Sequence, residues 1–231
     1  MPKLCIIPAR GGSKRIPKKN IKDFLGKPIL AYSIETALES KLFDEVMVST
    51  DDFEIAEIAK KLGAKVPFYR SKELSDDYAG ISEVLLEVLD KYQKEKLVSF
   101  ELTCCIYPTS VFTTIEQLKL GFEYLINNVA DTVIPIVKYD YPIWRGFNRD
   151  QQGFITYLWD EYIDARSQDL EEVFHDSGQW ALFNTSSFLK NKSVISERTM
   201  SVVISSLEAQ DIDCIEDWKV AEQKYRLLKG I

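Results

Sequence analysis

A single histidine, His175, stands among 231 residues, so no histidine-rich metal centre can be assembled. The four cysteines, Cys5, Cys104, Cys105 and Cys214, show neither CxxC nor Cys/His zinc spacing. Three of them fall in strand-like or strand-adjacent apolar stretches, the pattern of buried free thiols. No apolar run approaches the length needed to cross a bilayer, and the first strand begins almost at Met1, leaving no room for a signal peptide. The expectation is a cytoplasmic protein with no membrane partner. Positive charge is in deficit: 29 Lys and Arg against 36 Asp and Glu give a net charge of -7, which argues against nucleic acid as a partner. GxxxxGK[ST] and GxGxxG are both missing, which argues against an ATPase phosphate loop and a dinucleotide oxidoreductase.

What is present is a chain with 45% hydrophobic and 28% charged residues, a balance that suits a substantial core. Residues 1–231 read as a single α/β domain carrying a modest insertion. Strand-like segments at Lys3–Ala9, Val46–Thr50, Lys65–Tyr69, Leu102–Tyr107 and Asp131–Val137 alternate with helical periodicity at Ile29–Ser40, Asp52–Leu62, Ser82–Gln93 and Ile115–Ile126. Asp51 or Asp52 can cap the second helix, and Gly63 can end it in the left-handed conformation. Strands at Gln179–Phe183 and Ser201–Ile204 and a helix from Ile215 to Leu228 close the series, the helix with an apolar stripe of Trp218, Ala221, Tyr225 and Leu228. Repeated β-α-β units predict a doubly wound, mainly parallel sheet. Ligands of such sheets lie beyond the carboxyl ends of the strands. Residues 138–177, rich in Tyr, Trp, Asp and Arg and without a clean period, read as an insertion that covers the site or contacts another subunit.

The loop after the first strand runs Arg10-Gly11-Gly12-Ser13-Lys14-Arg15-Ile16-Pro17-Lys18-Lys19-Asn20. Its glycines permit a tight turn with N–H groups close to a ligand, and Arg10, Lys14, Arg15, Lys18 and Lys19 place five cations within ten residues. A polyphosphate fits such a loop; the alternative is a solvated basic turn. Near the other end, Asp211 and Asp213 flank Ile212. In an extended segment both carboxylates point to one face and Ile212 to the other. Two hard oxygen ligands at that spacing suit Mg²⁺ shared with substrate phosphates, and an acidic helix-capping turn is the competing explanation.

IIPARGGSKRIPKKNIK, GKPILAYSIETA and VSTDDFEIAEIAKKLGAKVPFYRSKELSDD resemble the acylneuraminate cytidylyltransferase family. RSQDLEEVFHDSGQW and QDIDCIEDWKVAE are similar in particular to its pseudaminic acid branch. The resemblance spans nearly the whole chain and implies a Rossmann-like nucleotidyltransferase that joins CMP from CTP to an acidic nine-carbon sugar. It implies that Arg10, Gly11, Gly12, Ser13, Lys14, Lys19 and Asn20 contact the nucleotide, with Arg10, Lys14 and Lys19 stabilising the transferred phosphate. It also makes Asp211 and Asp213 the ligands of a catalytic Mg²⁺, and assigns Arg70, Asp77 and a hydroxyl near position 81 to base and ribose. Ile81 occupies that position, and Ser82 substitutes if the loop shifts by one residue. On sequence alone Arg70 reads instead as a surface ion-pair residue at a strand end.

Tyr107 corresponds to a residue lining the sugar pocket, and sialic acid members carry Gln there, which favours a pseudaminic-type acceptor. Arg166 is the candidate for gripping the sugar carboxylate through paired hydrogen bonds, with Gln168 and Gln179 reading hydroxyls or amides. His175 reads as a sugar contact or a structural hydrogen bond ahead of a general base. Members of the family form homodimers whose insertion reaches the partner. Trp144, Phe147, Phe154, Tyr157 and Trp159 supply an interface or a core.

Overall fold

The computed structural model describes residues 1–127 and 130–231. In chain order the elements are β1 (Lys3–Pro8), a short hairpin of β2 (Asp23–Phe24) and β3 (Lys27–Pro28), α1 (Ile29–Ser40), β4 (Glu45–Ser49), α2 (Phe53–Lys61), α3 (Ile81–Glu95), β5 (Leu102–Ile106), α4 (Ile115–Ile126), β6 (Thr132–Lys138), β7 (Phe147–Arg149), β8 (Ile155–Tyr157), β9 (Phe174–Asp176), β10 (Trp180–Asn184), α5 (Thr185–Asn191), β11 (Thr199–Ile204) and α6 (Ile215–Lys229).

Seven strands form one sheet in the order β11-β6-β10-β5-β1-β4, with β9 paired to β6 beside β10. β1 runs parallel to β4 and β5, and β6 parallel to β11. β10 is antiparallel to both β5 and β6, so the sheet is mixed but mainly parallel. The reversal has a simple cause. The chain leaves β6, makes its excursion through residues 139–173 and returns as β9 and β10 directly, with no crossover helix to restore a parallel direction.

Alternation along the strands decides the layers. Cys5 and Ile7 of β1 face one side, where Leu30 and Ile34 of α1, Ile55 of α2 and Leu118 of α4 cover them. Leu4 and Ile6 face the other, against Leu85 and Val88 of α3 and Phe188 of α5. Side chains of this size contribute about 1.5–3 kcal/mol each when fully buried. Cys5, Cys104 and Cys105 are buried free thiols, as the sequence indicates. Asp52 caps α2 by accepting the Ile55 N–H at 2.9 Å, and Gly63 follows the helix at φ +95°. No helix among the described residues is long and apolar enough to cross a membrane.

Two local expectations need correction, and two short elements lie outside any expectation. Lys65–Tyr69 is no strand; only Lys65 bridges to Met47, because Pro67 has no N–H to continue the ladder. α5 and the β2–β3 hairpin are too short for their periodicity to be read. On α6, Trp218 and Ala221 are buried, but Leu228 lies 43% exposed where the helix outruns the body. From 138 to 176 no residue is buried, and between β6 and β9 the chain forms a two-stranded ribbon of its own, β7–β8, edged by short turns.

Candidate active site

The loop after β1 is tied down from beneath. Ile16 is 2% exposed and packs with Phe24, Ile212 and Trp218 in one cluster. The Asn20 amide donates to the Arg10 carbonyl at 2.9 Å, closing the loop on itself. Gly11 is packed tightly against the residues after β4. Its N–H donates to Asp51 Oδ1 at 2.9 Å, and a Cβ there would stand 2.8 Å from the Asp52 side chain. Gly12 has open space around it.

A cleft of about 670 Å³ opens beyond the carboxyl ends of β1 and β5. Arg10, Ser13, Lys14, Lys19 and Asn20 of the loop line it, together with Arg70, Asp77, Tyr107, Asp211 and Asp213. Arg15 Nη2 meets Asp213 Oδ1 at 2.6 Å across 198 positions of sequence. Lys19 Nζ donates to the Ile212 carbonyl at 2.6 Å and stands 3.8 Å from Asp213. Ile212 is fully buried while both flanking aspartates line the cleft, the alternation expected of an extended segment. Asp213 is also held from behind, since the N–H groups of Asp213 and Cys214 donate to Asp217 Oδ2 at 3.0 and 2.8 Å.

The charges in the cleft are unequal. Burial, and then Asp213 beside it, push the Asp211 carboxyl above the usual carboxylate range. Burial pulls Lys19 below the ordinary lysine value against the opposing effect of the two aspartates. Asp77 accepts from Arg10 at 2.8 Å and from Lys14, and the hydrogen bond from Lys14 draws its carboxyl down. Arg10 also donates to the Asp76 carbonyl.

Among the described residues no three His, Cys, Asp or Glu side chains cluster in a metal-holding group. Asp211 and Asp213 offer hard carboxylate oxygens of the kind that Mg²⁺ takes in ones and twos, and Asp213 is already paired with Arg15.

Several candidates sit elsewhere than the sequence suggested. Arg70 is no surface ion-pair residue. It is 8% exposed and donates through Nε to Ser49 Oγ at 3.1 Å and through Nη2 to the Ser49 carbonyl at 2.6 Å. The reason is that its N–H donates to the Thr50 carbonyl at 2.9 Å, which holds it against the end of β4. At the start of α3, Ile81 lines the cleft and Ser82 does not. Gln179 is 2% exposed, accepting from Thr113 at 3.1 Å and donating to the Glu208 carbonyl at 2.7 Å, so its amide is engaged inside the protein. Arg166 pairs with Asp169 at 2.7 Å, and neither it nor Gln168 lines the cleft.

His175 borders a second cavity of about 540 Å³, also lined by Tyr139, Ser177, Lys224 and Asp211. Asp211 is common to both hollows. Arg15 and Asp217 went unassigned in the sequence. Asp217 carried a readable signal, an acidic residue three positions into a helix behind a polar cap.

A family model described as cytidylyltransferase matches residues 4–206. The chain belongs to the cytidylyltransferase family. It is a nucleotidyltransferase by that membership. This cytidylyltransferase is 40% identical over 228 residues to a pseudaminic acid cytidylyltransferase of Campylobacter jejuni, covering 98% of this chain and 97% of the relative. It is 32% identical to a CMP-N,N'-diacetyllegionaminic acid synthase of Legionella pneumophila, over 97% of this chain and 96% of that one. In fold it is similar to a CMP:2-keto-3-deoxy-manno-octonic acid synthetase complexed with CTP, at a TM-score of 0.69 and 16% identity with full coverage of both chains.

Proposed function

We propose that this cytidylyltransferase transfers CMP from CTP to the C2 hydroxyl of a nonulosonic acid, pseudaminic acid, and releases pyrophosphate. One observation carries the reading: the basic loop and the aspartate pair meet across one cleft, with Arg15 on Asp213 at 2.6 Å. A triphosphate seated on the loop lies against both carboxylates. The relatives' names supply the acceptor class.

Arg10, Lys14 and Lys19 offset the charge that grows on the phosphate oxygens as the acceptor oxygen closes in line on the α-phosphorus. Asp77 holds Arg10 and Lys14 until the more highly charged nucleotide displaces it. The Gly12 backbone, Ser13 and Asn20 line the phosphate path, while Arg70, at the α3 end of the cleft, serves the nucleoside. Asp211 and Asp213 are the residues that would hold Mg²⁺, which when bound supplies electrostatic stabilisation of the transferred phosphoryl group. Tyr107, which lines the cleft, and His175, which lines the adjoining cavity, are the sugar contacts in this reading.

The insertion is the arm of a homodimer in this reading. Its apolar surface includes Phe154 at 74% and Ile155 at 58% exposure, and Arg166 and Gln168 on the same arm reach the partner's cleft. Four free cysteines accord with the reducing cytoplasm.

Pyrophosphate release from CTP with pseudaminic, legionaminic and N-acetylneuraminic acids tests the assignment. Pseudaminic acid is expected to be turned over fastest. No release with any of the three overturns it.

A further inference from the structure

The cavity beside the nucleotide cleft is walled by residues just after β6, by the end of β9, by the segment before the aspartate pair and by Lys224 of α6. Two of its polar groups have capacity left over. Lys224 Nζ donates to the carbonyls of Ser206 at 2.9 Å and Ala209 at 2.8 Å. Those bonds fix the ammonium and leave one of its three N–H donors unassigned. No carboxylate reaches ion-pair distance of it among the described residues, whereas Lys138 of the same cavity pairs with Glu172. Burial pulls Lys224 below the ordinary lysine value, with Asp140 opposing, so an arriving anion would find a partly desolvated cation.

The second group is Ser177, 4% exposed, whose hydroxyl has no hydrogen-bond partner. A buried hydroxyl left unpaired is costly, and a turn of the Ser177 side chain toward the cavity it lines lets a ligand oxygen remove that cost.

We propose that Lys224 and Ser177 form the subsite for the acceptor's carboxylate, one oxygen to each. The proposal rests on the transfer to a nonulosonic acid. In such an acid the carboxylate is bonded to C2, the carbon that carries the attacking hydroxyl. Whatever grips it must therefore border the transfer point, and this cavity shares its Asp211 wall with the nucleotide cleft. Arg166 is paired with Asp169 and lines neither hollow of its own subunit, so within one subunit the grip falls to Lys224 and Ser177.

Lys224→Met keeps the stem of the side chain and removes the charge; Ser177→Ala removes only the unpaired hydroxyl. With whichever of the three acids is turned over, Lys224→Met is expected to raise its KM about 10- to 100-fold, and Ser177→Ala roughly 3- to 10-fold. KM for CTP and the Mg²⁺ half-saturation should stay within about twofold, and Ser177→Ala should not lower Tm. The wild type should prefer the acid to its C1 carboxamide by about 10- to 100-fold, and Lys224→Met should flatten that preference. If Lys224→Met shifts CTP and Mg²⁺ dependence as much as the acid's KM, its role is to hold the 206–209 backbone, and the proposal fails. It fails equally if neither variant moves the acid's KM, and Ser177→Ala decides alone should Lys224→Met not fold. A wild type inactive with all three acids removes the sugar assignment itself, and this subsite with it.

Discussion

The cleft between the basic loop and the aspartate pair and the arm of residues 138–176 are assembled on opposite terms. In the cleft, charged side chains stand on buried anchors: Ile16 beneath the basic loop and Ile212 between the aspartates share one apolar cluster. In the arm nothing is buried, and its aromatic pairs, Trp144 with Trp159 at 5.4 Å and Phe147 with Tyr157 at 4.5 Å, rest mainly on each other. The difference teaches where each region draws its order. Asp211 and Asp213 repel one another, so the packing beneath them, together with Arg15 and Lys19 beside Asp213, keeps both aimed at one space. The arm's apolar surface gains little until another surface covers it.

Breaking the cleft should have the largest effect. Asp211→Ala is expected to lower kcat at least about 10²- to 10³-fold while the fold stays intact, checked by pyrophosphate release and thermal melting. Near-normal turnover at saturating Mg²⁺ would contradict the role assigned to it.

Ile212→Ala removes an anchor without touching a charge. It should cost about 2–5 kcal/mol in urea unfolding and weaken CTP binding as the aspartates loosen. A loss of stability with unchanged CTP affinity would show that the aspartates are held by other means.

On the arm, Phe154→Asp should leave the melting temperature of the subunit's body nearly unchanged and shift the solution mass from dimer to monomer. A wild type that is already monomeric removes the arm's proposed role.

The smallest effect separates two carboxylates by sign. Asp77 is drawn down by Lys14 and Arg10, so its ion pairs stabilise the fold above the unfolded-state value of about 4 and are lost as pH falls through the lower folded value. Asp211 is pushed up, so its contribution is present below about 4 and is lost as pH rises through the higher folded value. Accordingly Asp77→Asn should destabilise slightly at neutral pH, with the gap to wild type closing in acid. Asp211→Asn should stabilise slightly at neutral pH. Melting temperatures between pH 3 and 7 check both, and equal signs would undo the contrast.

Much of the body was legible in the residues themselves. Alternation in β1, the Asp52 cap and the Gly63 stop are written within a few positions, because the physics that enforces them acts over one turn or one strand. The basic loop and the aspartate pair were legible as chemistry for the same reason: cation density and a two-residue carboxylate spacing are local properties. Arg70 was not, since its burial depends on Ser49 lying beneath it, 21 positions away. Gln179 was not either, because its partners Thr113 and Glu208 come from distant segments.

The sequence by itself determined an α/β sheet, a loop dense in cations and glycine, and a pair of carboxylates two residues apart. Only the tertiary structure decided that loop and carboxylates face each other, that β10 runs backwards through the sheet, and that Lys224 and Ser177 border the same hollow as Asp211. Contacts across long separations follow from how layers pack, and no short stretch of chain carries that information.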